Sequence, residues 1–123
     1  MTQKAIVRIE GLEDVELKLK SFTPEVNEAI EKEIKISAIN IQREAKKICP
    51  WRTNRLRSSI AIQFLSNGER INAAEIGSYH VEYAPYVEFG TRYMKAEPYL
   101  RPAYKAELPK LKANIARILR GLK

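Results

Sequence analysis

The segment TPEVNEAIEKEIKISAINIQREAKKICP, residues 23–50, decides the fold. It opens as helices open: Thr23 supplies a capping hydroxyl, Pro24 fits the first helical position, and Glu25 meets the positive end of the helix dipole. Val26, Ile30, Ile34, Ala38, Ile41, Ala45 and Ile48 then recur at steps of three or four. Glu28, Glu31, Lys32, Lys35, Gln42, Arg43, Lys46 and Lys47 occupy the other faces. Ile36 and Ile39 broaden the apolar stripe beyond a two-position seam, which predicts packing on a sheet or on two partners. Pro50 ends the run, because the residue before a proline is pushed out of the helical region. The sequence thus predicts a long helix over about 24–48.

Upstream, Ala5 to Glu10 is rich in β-branched residues and stops at Gly11, the pattern of a short strand. Leu12, Val15, Leu19 and Phe22 then fall at helical spacing, so residues 12–22 are expected to form a short amphipathic helix. Downstream, Cys49 to Ser58 reads as a polar, arginine-bearing connection. Ser59 to Ser66 alternates, with Ile60, Ile62 and Phe64 on one face. Asn67-Gly68 is a turn signal, and Ala74 to Tyr79 is the expected return strand. The resulting hairpin, spanning 59–79, is expected to have a mobile tip near 66–72, with a short extended segment at 79–82.

The last segment, from about Pro98 to Leu122, places Tyr104, Leu108, Leu111, Ile115, Ile118 and Leu122 at steps of three and four. It is expected to form a C-terminal helix, about 98–122, kinked or broken near 107–109 by Pro109. The fold class is α+β: a small, mostly antiparallel sheet packed against the 24–48 helix and the C-terminal helix. At 123 residues the chain reads as one domain, 1–123.

Composition narrows function chiefly by exclusion. No run approaches the ~18 apolar residues of a membrane span. The start, Met1 to Arg8, carries charge inside its short apolar run, so no secretory signal is expected. A single cysteine, Cys49, fits a reducing compartment and reads as a small buried thiol. With one histidine, His80, it leaves too few soft ligands for zinc, and neither a metal nor a cofactor is expected. Glu75, Glu82, Glu88 and Glu97 read as ordinary solvated or paired acids, since nothing fixes a catalytic separation between any two of them. The five glycines are scattered singly, and no serine sits in a nucleophile elbow. No enzyme is expected.

The net charge of +7 is the one skewed property. Arg52, Arg55 and Arg57 accompany Trp51, a grouping that could hold phosphates or stack on bases. Lys105, Lys110, Lys112, Arg117, Arg120 and Lys123 line the last helix, where a solvated face explains them as well as DNA does. No helix-turn-helix, zinc-finger or RNA-recognition pattern accompanies the charge.

Between the hairpin and the last helix lies Tyr83-Ala84-Pro85-Tyr86-Val87-Glu88-Phe89-Gly90-Thr91, followed by Ala96-Glu97-Pro98-Tyr99-Leu100-Arg101-Pro102-Ala103. Pro85 suits a first helical turn, and Tyr83, Tyr86 and Phe89 fall on one side of it. Gly90 is free to end that turn in a left-handed conformation, and Thr91 to cap the next element. Phe89 is expected to bury. The tyrosines suit an interface as well as a core.

Taken in order, Ile48-Cys49-Pro50, Leu56-Arg57-Ser58-Ser59-Ile60, the 83–91 block and Pro98 to Ala103 resemble the tail-component family of long-tailed double-stranded DNA phages and prophages. Its members are head–tail joining or tail-completion proteins of the neck, tail terminators among them. The resemblance covers about 24–120. One departure is the loop before Leu56, which in the family carries an acid and a glycine and here reads Arg52-Thr53-Asn54-Arg55. The resemblance implies a non-catalytic virion protein, assembled in the host cytoplasm as a homo-oligomeric ring, expected to be a hexamer. DNA would pass through the lumen without sequence specificity, with head-closure or connector proteins and the tail tube protein as neighbours and no membrane. On that reading Tyr83, Tyr86, Glu88, Arg92 and Tyr93 contribute to a subunit or partner contact, and Arg52, Arg55 and Arg57 face the lumen or an acidic neighbour. The alternatives are a small basic nucleic-acid-binding protein or a ribonuclease-type toxin using arginines and tyrosines.

Overall fold

The computed structural model describes residues 5–10, 24–50, 54–66, 71–79 and 81–121. The expected helix at 12–22, the tip residues 67–70, and Trp51, Arg52, His80 and Lys123 lie outside them. The elements run β1 (Ile6–Glu10), α1 (Pro24–Ile48), α2 (Asn54–Ser58), β2 (Ile60–Ser66), β3 (Ile71–Ser78), α3 (Ala84–Phe89) and α4 (Leu100–Arg120). The strands form one antiparallel sheet in the order β1-β3-β2. Across the sheet Ala74 lies between Ile9 and Phe64, and Ile76 between Val7 and Ile62. α1 packs on β3 and β2, and α4 packs on α1 and β1, an α+β arrangement with the core between sheet and helices. No helix among the described residues is long and apolar enough to cross a membrane.

α1 occupies the bounds its caps and periodicity predict. Its buried stripe is Ile30, Ile34, Ser37, Ala38, Ile41 and Ala45. Alanines at 38 and 45, with Ala74 and Ala103 opposite, leave room for the helices and sheet to approach closely. Ile36 and Ile39 do not form the second packing face; they are 41% and 45% exposed, and Ser37 faces inward between them. Ile48 is likewise exposed, and Cys49 takes its place in the core.

Polar contacts tie α1 to α4. Ser37 Oγ and Asn40 Nδ2 donate to Glu107 Oε2 at 3.1 and 3.3 Å, and Asn114 Nδ2 donates to Glu33 Oε2 at 3.1 Å. Glu33 meets 114 while Asn40 meets 107, so the two helices run antiparallel. Glu107 explains why the α4 stripe is shifted from the one the apolar residues suggest. The buried positions are Leu100, Ala103, Glu107, Leu111 and Ile115, with Tyr104 and Ile118 packed at their margin. α4 runs unbroken through Pro109. The proline ring sits on the exposed side, so the Lys105 carbonyl it leaves without a helical partner is on a face open to water.

The hairpin departs from expectation in three places. β3 begins at Ile71, earlier than Ala74, and Ser66 pairs with Ile71 after a register shift at Leu65/Ser66. Asn72, a weak strand former, obscured that extension. Burial along β2 fades from Ile60 through Ile62 to Phe64, which is 38% exposed. The Ser78 N–H donates to the Ala5 carbonyl on the β1 side, so the polar groups of Ile60, paired with Ser78, turn outward. Gln42 Nε2 of α1 donates to the Ile60 carbonyl there at 2.8 Å. No strand forms at 81–82, where the chain turns into α3.

The 49–58 connection contains α2, which the sequence did not suggest. Leu56 is its one buried residue, and a lone apolar side chain carries no period. Ser59 closes it: its N–H bonds the Arg55 and Leu56 carbonyls, and its Oγ donates to the Leu56 carbonyl at 2.6 Å.

Candidate interaction surface around the 83–101 segment

Residues 83–101 form a short helix, a tight loop and a second helix start, locked together by one carboxylate. α3 begins after Tyr83, with Pro85 in its first turn. It ends at Gly90, whose N–H donates to the Tyr86 carbonyl at 2.8 Å. Gly90 has φ 78° and ψ 175°. The positive φ was expected; the extended ψ differs from a left-handed cap and sends the chain straight out into the loop. A Cβ at Gly90 would lie 2.8 Å from Ala96 N and 3.0 Å from Met94 O. The loop closes on itself through Thr91 N–H to Met94 O (2.8 Å), Met94 N–H to Thr91 O (3.3 Å) and Tyr93 N–H to Thr91 Oγ1 (3.1 Å). Thr91 thus caps a turn at the loop tip, not a helix. The Glu97 N–H then returns to the Val87 carbonyl at 2.8 Å.

Glu88 is buried, 1% exposed, and does not belong to a contact surface. Its carboxylate accepts the N–H groups of Tyr99, Leu100 and Arg101 at 3.0, 2.9 and 3.1 Å. Those are orphan donors of the first turn of α4, so Glu88 caps a helix from eleven residues upstream. Arg101 completes the clamp: its Nε donates to Glu88 Oε2 at 3.0 Å and its NH2 group to the Glu88 carbonyl at 2.8 Å. The same guanidinium lies 4.7 Å from the Phe89 ring centre. Phe89 is therefore a partly buried platform under an arginine, outside the core cluster in which it was expected.

Tyr99 and Ser78 extend the lock to the sheet. The Tyr99 side chain is fully buried, and its hydroxyl lies 2.6 Å from Ser78 Oγ at the end of β3. Burial pushes its phenol well above the ordinary tyrosine range. Cys49 lies in the same interior, its Sγ 3.6 Å from the Pro50 carbonyl. Burial raises its thiol to about 11, against a smaller opposing effect of the Arg57 charge. Folding therefore disfavours the thiolate. Between about pH 9, where the exposed thiol of the unfolded chain ionises, and about pH 11, stability should fall as pH rises. The direct check is alkylation by iodoacetamide at pH 8. Native protein should react on the order of 100-fold more slowly than urea-unfolded protein, as expected for a two-unit rise with the thiol shut from solvent. Equal rates would refute this environment for Cys49.

The residues expected at the contact surface separate into two groups. Tyr86, Arg92 and Tyr93 are exposed, Tyr93 at 89%, and Arg92 lies 5.8 Å from the Tyr93 ring centre. Met94, which the sequence did not single out, joins them as an exposed large apolar side chain. Tyr83 instead packs half-buried against the core, with the Arg55 guanidinium 5.5 Å above its ring. Arg55 NH2 also bonds Glu82 Oε2 at 3.3 Å, and that carboxyl is held below its usual range by a backbone hydrogen bond and by the arginine. Arg57 is half-buried, with its Nε closed off from solvent and unpaired among the described residues. Arg55 is therefore spent on its neighbours, and Arg52 lies outside the described residues. Among the described residues no three His, Cys, Asp or Glu side chains gather as a metal site requires.

No protein-family model matches the chain, and no curated protein or solved structure matches it.

Proposed function

We propose that this chain is a structural protein of a phage or prophage neck, a head–tail joining or tail-completion subunit that acts by assembling. It would form a ring of identical copies through which DNA passes, meeting head-closure or connector proteins on one side and the tail tube on the other. In such a ring two different patches of each copy meet head-to-tail and the rotation closes. The observation that carries this reading is the 91–95 loop. Arg92, Tyr93 and Met94 on the loop, and Tyr86 on α3, are exposed on a backbone braced by the Glu88 clamp and the closed Thr91–Met94 turn. Exposed aromatic side chains on a rigid support lose little entropy on docking, which suits them to an interface. The ribonuclease-type alternative gains no comparable support, since Arg55 is paired with Glu82 and stacked on Tyr83.

Light scattering and negative-stain imaging test the proposal. Wild-type protein, alone or with tail tubes, should give rings or tube-end caps. The double variant Tyr86→Ala/Tyr93→Ala should lose them, weakening association by at least tenfold while its unfolding midpoint stays within ~0.5 kcal/mol of wild type. Rings of normal size and affinity in that variant would remove the loop from the contact. Failure to form any ring or tube cap at wild-type positions would remove the neck reading itself.

A further inference from the structure

The chain's excess positive charge is concentrated on the outer face of α4, and the geometry points to that face as a seat for the phosphate backbone of duplex DNA. α4 carries Arg101, Lys105, Lys110, Lys112, Arg117 and Arg120, and one acid, Glu107, which is buried against Ser37 and Asn40. Arg101 is engaged by Glu88, which leaves Lys105, Lys110, Lys112, Arg117 and Arg120 exposed with no acidic partner among the described residues. The outer face of α1 differs: exposed Glu25, Glu28 and Glu44 are mixed there with Lys32, Lys35, Arg43 and Lys47. A single-signed face on one helix beside a mixed one on its neighbour gives a directional field.

Helical periodicity orders the five cations. At 3.6 residues per turn, Lys105 and Lys112 lie on one flank and Lys110 and Arg117 on the other, with members of each row about 10.5 Å apart along the axis. Between the rows runs a low ridge of Ala106, Pro109, Ala113 and Ala116, all exposed, ending at Arg120. Small side chains there let an extended anionic backbone approach the helix while cations reach it from both sides.

The same face argues for nucleic acid over an acidic protein. A protein partner would need a large apolar or aromatic anchor at the centre of the contact. None of the exposed large hydrophobic side chains among the described residues lies on α4; Tyr104, Leu108, Ile118 and Leu119 are partly buried. Base reading is not provided for either. Asn114, the one amide on α4, is bonded to Glu33 and Arg117. The expected binding is to phosphates, without sequence preference. This assignment deepens the neck reading by giving the lumen a lining. It rests on that reading only for where the duplex lies, and the basic residues it uses are those of α4 in place of Arg52, Arg55 and Arg57.

The test is fluorescence anisotropy with a labelled 30-base-pair duplex, titrated at several salt concentrations, on the full chain. Five phosphate contacts at ~0.9 counterion each give a slope of log K against log salt near −4.5, or a loss of roughly 500-fold between 50 and 200 mM. The quadruple variant Lys105→Gln/Lys110→Gln/Lys112→Gln/Arg117→Gln should bring the slope to about −1, while Arg55→Gln should leave it unchanged. Circular dichroism of each variant establishes that it is folded. A single change, Lys112→Gln, should reduce the slope by about 0.9 where the quadruple change proves unstable. An unchanged slope in the folded quadruple variant overturns the assignment. So does binding of poly-glutamate without binding of duplex, which would give the face to an acidic protein. Particle shape separates the two proposals: rings whose DNA binding does not depend on the α4 cations overturn this one alone, and DNA binding through α4 with neither rings nor tube-end caps supports it while removing the neck reading.

Discussion

Glu88→Ala is expected to destabilise the protein by roughly 3–5 kcal/mol, the range for removing one partner of a buried, hydrogen-bonded charge pair. The carboxylate takes three main-chain N–H groups at the start of α4 and the Arg101 Nε, all within 3.1 Å. Alanine fills none of these positions. Leu100 and Tyr99 are fully buried, so water does not readily replace the lost acceptor at their N–H groups, and each such group costs on the order of 1–3 kcal/mol. Arg101 is the lesser part of the loss, because its side chain is half in solvent and regains water. Glu88→Gln keeps the shape and one acceptor oxygen, and should cost less than Glu88→Ala. Urea unfolding measures both: the midpoint should fall with the slope unchanged. A loss under 1 kcal/mol for Glu88→Ala would show that the clamp is not what fixes the α4 start.

Gly90→Ala is the second large effect, expected at about 2–6 kcal/mol. The conformation φ 78°, ψ 175° lies in a region almost confined to glycine, which costs a substituted residue ~1–3 kcal/mol. The added Cβ would also press on Ala96 N and Met94 O at 2.8 and 3.0 Å. Both are backbone atoms, so relief requires the loop to shift, adding ~1–3 kcal/mol. The consequence extends past stability. The shifted segment carries Tyr93 and Met94, so ring formation should weaken along with the melting temperature, whereas Tyr86→Ala/Tyr93→Ala should affect assembly alone. A Gly90→Ala protein melting like wild type would refute the assigned backbone geometry.

These two residues show how the sequence and the structure divide the information. Gly90 was legible because the need for positive φ is local: a glycine closing a short turn after a proline announces itself. Glu88 was read as a surface acid for an equally local reason. Its partners are at 99–101, and nothing at 83–91 shows that an acid there will be folded under the next helix. Tyr83 and Arg55 obey the same rule, being placed by each other and by Glu82, 27 residues from Arg55, and Phe89 is placed by Arg101 of the next helix. The inward turn of Ser37 in place of Ile36 and Ile39 likewise depends on Glu107, 70 residues away.

By itself the sequence determined the long helix from Thr23-Pro24 to Pro50, the strand alternation at 59–66, the C-terminal helix and the α+β class. Periodicity and caps act within a few residues and are written in them. Only the tertiary structure decided which acids are buried, which arginines are spent on neighbours, and where the net charge of +7 is left to face outward. A charge becomes free or compensated according to what packs against it, and at Glu88, Arg55 and Glu107 those partners come from other elements of the fold.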